Sequence, residues 1–145
     1  STQGGVATME SYRDGVPESH RDLLLKAHYY YEDSHNHLFV HGGYDPSLPV
    51  DEQNEHQMIW DRSLVRKALD AFDAGRSLTP YETVFVGHTP TLNFGTIQPI
   101  KACDVHMLDT GAGWPGGVLT LMDLASGTCY QSEPVENFYP GQQSR

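Results

Sequence analysis

Thr83-Val84-Phe85-Val86-Gly87-His88-Thr89-Pro90 runs a strand with no charged residue straight into glycine, histidine and proline. Such a strand is too apolar for one wet face and is predicted to be buried on both. Leu38-Phe39-Val40-His41-Gly42-Gly43 repeats the pattern earlier in the chain. Each stretch sets an imidazole beside glycine at the carboxyl end of a buried strand. In sheets that carry helices, ligand sites assemble at that edge, and glycine lets a metal or phosphate approach the backbone closely. Neutral imidazole is a favoured ligand for Zn, Fe and Mn-type ions. A single strand-end histidine is ordinary packing, so the matched pair His41 and His88 is what points to a site.

Outward from these two strands the pattern is mixed α/β. Val6 to Tyr12 reads as a short helix ended by Asp14-Gly15, and Glu18 to about Ala27 as a second, with Leu23, Leu24 and Ala27 on one packing face. Tyr29-Tyr30-Tyr31 and Leu38-Phe39-Val40 form a hairpin around the polar turn Glu32 to Asn36. Asp45-Pro46-Ser47-Leu48-Pro49 breaks regular structure. Glu52 to Asp61 and Ser63 to Phe72 are predicted helices, the latter with Val65, Ala68, Leu69 and Phe72 on one side and Gly75 as its stop. The remainder reads as short strands around Leu92–Pro99 and Val105–Leu108, a turn from Gly111 to Gly117, and strands Val118–Leu124 and Thr128–Gln131 joined by Ser126-Gly127.

The 145 residues suit one domain with one moderate core. A formal net charge of −10 argues against nucleic acid as a partner, because phosphate-backbone binding needs clustered Lys and Arg. No apolar run approaches the ~20 residues of a membrane span, so no membrane partner is expected. Two cysteines, Cys103 and Cys129, are too few for a disulfide framework; they read as buried thiols in a reducing, cytoplasmic setting. The opening Ser1-Thr2-Gln3-Gly4-Gly5 has neither an initiator Met nor a targeting leader and reads as a chain cut from something longer.

Two further positions carry chemistry. Arg62, after Trp60-Asp61, offers a planar five-donor fork to a phosphoryl group, or a surface ion pair to Asp61 or a nearby Glu. Asp109, opening Asp109-Thr110-Gly111-Ala112-Gly113-Trp114, is either a turn-capping carboxylate or a support behind a site. His20, His28, His35, His37, His56 and His106 lack the strand-then-glycine context and read as surface or packing residues. Serine-elbow, Walker-loop, Cys-x-x-Cys and dinucleotide fingerprints are absent from the sequence.

Taken in order, Leu38 to Pro46, Gln57-Met58-Ile59-Trp60-Asp61-Arg62, Val84 to Pro90, and Asp109 to Gly113 followed by Gly117-Val118-Leu119-Thr120 resemble the calcineurin-like metallophosphoesterases. The resemblance is greatest to the bacterial and phage serine/threonine protein phosphatase branch, and runs from Gly4-Gly5 to about Gln131. It implies a two-sheet β-sandwich flanked by helices and a hydrolase of phosphoric esters. Two divalent ions (Mn, Fe or Zn) clamp the phosphate there and activate a bridging hydroxide. On this likeness His41 and His88 match metal ligands, Arg62 the phosphate-holding arginine, and Asp109 a supporting residue. Pro90 stands where relatives outside this branch carry a second histidine.

The family's earlier motifs, Asp-x-His-Gly, Gly-Asp-x-x-Asp-Arg-Gly and Gly-Asn-His-Glu, are missing, and Asp14, Asp22 and Asp33 sit in the wrong contexts to replace them. Residues 1–145 are therefore expected to be the carboxyl-terminal portion of such a domain. It should be inactive alone, with open sheet surface that favours self-association or an amino-terminal partner segment. The expected substrate is a phosphorylated protein or, on the same scaffold, diadenosine tetraphosphate; the contrasting reading is a non-catalytic binding or regulatory module.

Overall fold

A computed structural model describes residues 5–72 and 75–138, so the opening Ser1 to Gly4 lies outside the described residues. Helices α1 (Gly5–Ser11) and α2 (Glu18–Leu25) precede strands β1 (Tyr30–Glu32) and β2 (His37–Val40). A 3-10 turn at Val50–Glu52 leads to α3 (Glu55–Trp60) and α4 (Ser63–Asp70), then to β3 (Thr83–Val86). A second 3-10 turn, Thr91–Phe94, precedes β4 (Ile100–Ala102) and β5 (Val105–Met107), and β6 (Thr120–Met122) pairs with β7 (Cys129–Gln131). The result is a mixed α/β arrangement: a five-stranded sheet in the order β1-β2-β3-β5-β4 and a separate two-stranded ribbon. Among the described residues no helix is long and apolar enough to cross a membrane.

The central three strands, β2, β3 and β5, are parallel, so their carboxyl ends share one edge. Their alternation sorts side chains onto two faces. Leu38, Val40, Val84, Val86, Val105 and Met107 point to a core completed by Tyr44, Met58, Leu64, Val65 and Ala68. All four β3 residues are buried, as the sequence predicts. On the other face, register aligns Tyr31, Phe39, Phe85, His106 and Lys101 in one cross-strand row. Phe39 and Phe85 stack at 5.0 Å between ring centroids, and Phe85 and His106 at 5.6 Å. Tyr31 at the end of that row is 62% exposed. Such aromatic cross-strand pairs are the unit that holds a sheet face together.

Burial, reinforced by the neighbouring Lys101 charge, pushes the His106 imidazole below its ordinary 6.5. A base with a depressed folded pKa contributes stability that is present above 6.5 and is lost as pH falls through the folded value. His106→Gln is therefore expected to lessen the acid-induced loss, read as the difference between urea melts at about pH 7.5 and about pH 5. An identical pH dependence in both proteins removes His106 from that role.

The structure corrects several expectations. The leucines of α2 do not pack: Leu23, Leu24 and Leu25 are each at least 72% exposed and the helix buries no residue. Its apolar face has the right spacing but no described partner. Leu92–Pro99 is not a strand, because Pro90 starts a 3-10 turn that Gly95 closes in the left-handed region. The short strand β4 follows instead, joined to β5 through Cys103, itself at φ 53°. The helix expected over Glu52–Asp61 is split by Asn54, whose side chain accepts from the His56 N–H and caps α3. Cys103 is half-buried and Cys129 exposed, so neither behaves as a fully buried thiol.

Candidate functional site

Four loops meet at the carboxyl edge of the parallel strands. His41 follows β2 directly, His88 follows β3 after Gly87, Asp109 lies just beyond β5, and Arg62 joins α3 to α4. The Gly87 N–H donates to the His41 carbonyl at 2.9 Å, so the two histidine loops continue the ladder of their strands. The imidazole centroids of His41 and His88 stand 5.0 Å apart. Thus the matched strand-then-histidine pattern becomes one pair of side chains.

Close backbone packing fixes this pair against the end of α3. The Gly42 N–H donates to the Met58 carbonyl at 2.6 Å. A methyl group on Gly42 would sit 2.7 Å from the Ile59 carbonyl oxygen and 3.0 Å from the Asp61 nitrogen, so only glycine fits. The indole of Trp60 meets the His88 ring edge-on at 5.4 Å and 86°. Asp61 does not pair with Arg62. Its Oδ2 accepts from the Ser63 N–H and hydroxyl, both at 3.0 Å, and from the Leu64 N–H at 3.2 Å, capping α4. Among the described residues the ion pairs are those of His35 and His37 with Asp33, which leaves the exposed Arg62 guanidinium without a carboxylate.

His88 carries the unusual chemistry of the site. It holds φ at 61°, a left-handed conformation that a residue with a Cβ adopts at a cost of roughly 1–2 kcal/mol. Its Nε2 is buried without a hydrogen-bond partner, as are the hydroxyls of Thr89 and Thr91 in the same loop. Burial first, then the charges of Arg62 and His41, hold its pKa below the ordinary value; Asp109 and the Trp60 backbone act the other way. Neutral imidazole, the ligand form, is thereby favoured. Asp109 caps its turn, Oδ1 accepting from the Gly111 N–H at 2.9 Å, and its charge acts on His88. Its carbonyl also accepts from the Thr91 N–H at 2.8 Å, tying the two loops together.

Beside the pair lies a groove of 490 Å³, walled by His28, Tyr29, Tyr31, Phe39 and Phe85 and reaching His41 and Asp109. Sequence reasoning gave the groove no role; the alternation of His37, Phe39 and Phe85 on one sheet face was its signal. Trp60 was visible only as part of Trp-Asp-Arg. His35 and His37 join Asp33 in the hairpin turn, His37 Nδ1 lying 2.9 Å from Asp33 Oδ2, and are not part of the His41–His88 pair. Among the described residues, no group of three or more His, Cys, Asp or Glu side chains converges to hold a metal. His41 and His88 thus fit two places in a metal's ligand set and do not complete one. Compared with known proteins, the chain matches no family model and no curated protein sequence.

Proposed function

We propose that this chain carries one side of the active site of a divalent-metal phosphoesterase, with His41 and His88 as metal ligands and Arg62 as the phosphate clamp. The observation that carries the reading is the 5.0 Å pairing of two imidazoles from separate parallel strands, one with a buried, unpartnered Nε2. The architecture proposed is the helix-flanked two-sheet sandwich of the calcineurin-like metallophosphoesterases, of which residues 1–145 are the carboxyl-terminal portion. Its other ligands come from an amino-terminal segment or partner polypeptide.

When bound, divalent ions such as Mn, Fe or Zn supply Lewis-acid polarisation of the phosphoryl group and a more acidic water. The protein's own groups do the rest. His41 and His88 fix the position of the charge, and Arg62 holds non-bridging phosphate oxygens through a planar fork that no neighbouring carboxylate occupies. Asp109 steadies the Gly-His-Thr-Pro loop through Thr91. An acidic cytoplasmic protein of net charge −10 has to recruit phosphate through such placed groups, not through a general positive field.

The substrate class proposed is phosphoserine or phosphothreonine in proteins. Diadenosine tetraphosphate is the competing substrate, separated by comparing turnover of a phosphopeptide with that of the dinucleotide by the complete enzyme. The 145-residue chain alone is expected to turn over neither. Arg62→Ala in the complete enzyme is expected to lower kcat/KM on the order of tenfold to a hundredfold, the scale of a lost charged hydrogen bond. An unchanged catalytic efficiency overturns the clamp. Absence of turnover by the complete, Mn-loaded enzyme on every phosphoester favours the binding-module reading.

A further inference from the structure

Trp60 is placed as no core residue would be. The buried residue of α3 is Met58, whereas Trp60 keeps 39% of its surface exposed and spends its ring on His88. One helical turn earlier, the His56 ring lies 6.2 Å from that of Trp60, so ring contacts link His56, Trp60, His88 and His41.

We propose that Trp60 is the positioning residue of His88: its indole, edge-on to the imidazole at 5.4 Å and 86°, fixes the plane of the ring beside His41. The assignment rests on the reading of His88 as a ligand, but it makes a claim about the ring's orientation that holds without any metal. Metal-binding histidines are typically held in one orientation by a neighbouring group. The tight Gly87–Thr89 turn, closed by the Thr89 N–H on the Gly87 carbonyl at 2.6 Å, holds the main chain and not the imidazole.

The test compares Trp60→Phe and Trp60→Leu in the 145-residue chain. In the metal-free protein, nuclear Overhauser contacts between the His41 and His88 ring protons are expected in wild type and Trp60→Phe, and are expected to vanish in Trp60→Leu while the sheet signals persist. Retained contacts in Trp60→Leu overturn the proposal, and so does wholesale unfolding of that variant, which assigns Trp60 to packing. Equal loss in Trp60→Phe also overturns it, since a flat ring should suffice. In a Co²⁺ titration, Trp60→Leu is expected to weaken binding about tenfold or more, the scale seen for orienting partners, with Trp60→Phe losing less. If wild type fails to bind Co²⁺, the ligand reading of His88 falls, while the proton contacts still decide the role of Trp60.

Discussion

On the proposed role of His88 as a metal ligand, His88→Ala is expected to remove divalent-metal binding without unfolding the chain. Among the described residues, His88 presents at this edge a ring nitrogen that is buried and unpartnered. Co²⁺ or Mn²⁺ affinity, measured by calorimetry, is expected to fall at least about 100-fold, beyond the loss typical of a merely orienting group. In the complete enzyme proposed above, Mn-dependent turnover is expected to disappear with it. Stability moves differently. The residue sits at φ 61°, where alanine is strained as histidine is, and glycine is not. His88→Gly is therefore expected to be more stable than His88→Ala by roughly 1 kcal/mol in urea melts, while binding metal no better. A glycine variant that is no more stable than the alanine variant removes the strain argument. Undiminished metal affinity in either removes His88 from the site. Strain kept where a smaller residue would relieve it is the pattern expected of a functional position.

Gly42→Ala is the substitution expected to damage both fold and site. The added methyl meets backbone at every near contact: the Ile59 carbonyl oxygen at 2.7 Å, its carbon at 2.8 Å and the Asp61 nitrogen at 3.0 Å. No side chain can swing aside, so the loop after β2 must part from the end of α3 and break the Gly42–Met58 hydrogen bond. Overpacking of this kind costs typically 1–3 kcal/mol, and the upper end is expected here. The same displacement moves the His41 loop off the end of α3, so on the proposed reading metal affinity is expected to fall even in the folded fraction. Gly43 offers the contrast. A methyl there meets the Asp61 carboxylate, a side chain, at 2.8 Å, and its cost is that of disturbing the cap of α4, ~1 kcal/mol. Equal denaturation midpoints for wild type and Gly42→Ala would show that the two loops part without penalty.

Much of the central sheet was legible because its signals are local. Thr83 to Val86 could only be a buried strand, and the repeated exit into histidine and glycine placed both imidazoles at one edge before any contact was known. What stayed hidden was set by partners distant in the chain. Arg62 looked equally suited to an ion pair, and only the use of Asp61 as a helix cap decides against it. The strand β4 is three residues long, and its existence depends on the left-handed turn at Cys103 instead of on any alternation of its own. The α2 leucines carry a correct amphipathic pattern that the described residues do not use. Trp60 gave no sign of its role, because an indole at the end of a short helix reads as packing until the ring it faces is located.

The parallel pairing of β2 with β3 has a kinetic consequence. The hairpin turn before β2 is pinned to the approach to β3 by the Asn36 side chain, which donates to the Pro80 carbonyl across 44 residues. Closing so long a loop consumes chain entropy before the strands reward it, and topologies built on distant pairings fold slowly for that reason. His41 and His88 thus come together only when the longest closure in the sheet is made. A probe attached to that pair is therefore expected to report the slow closure of β2 on β3.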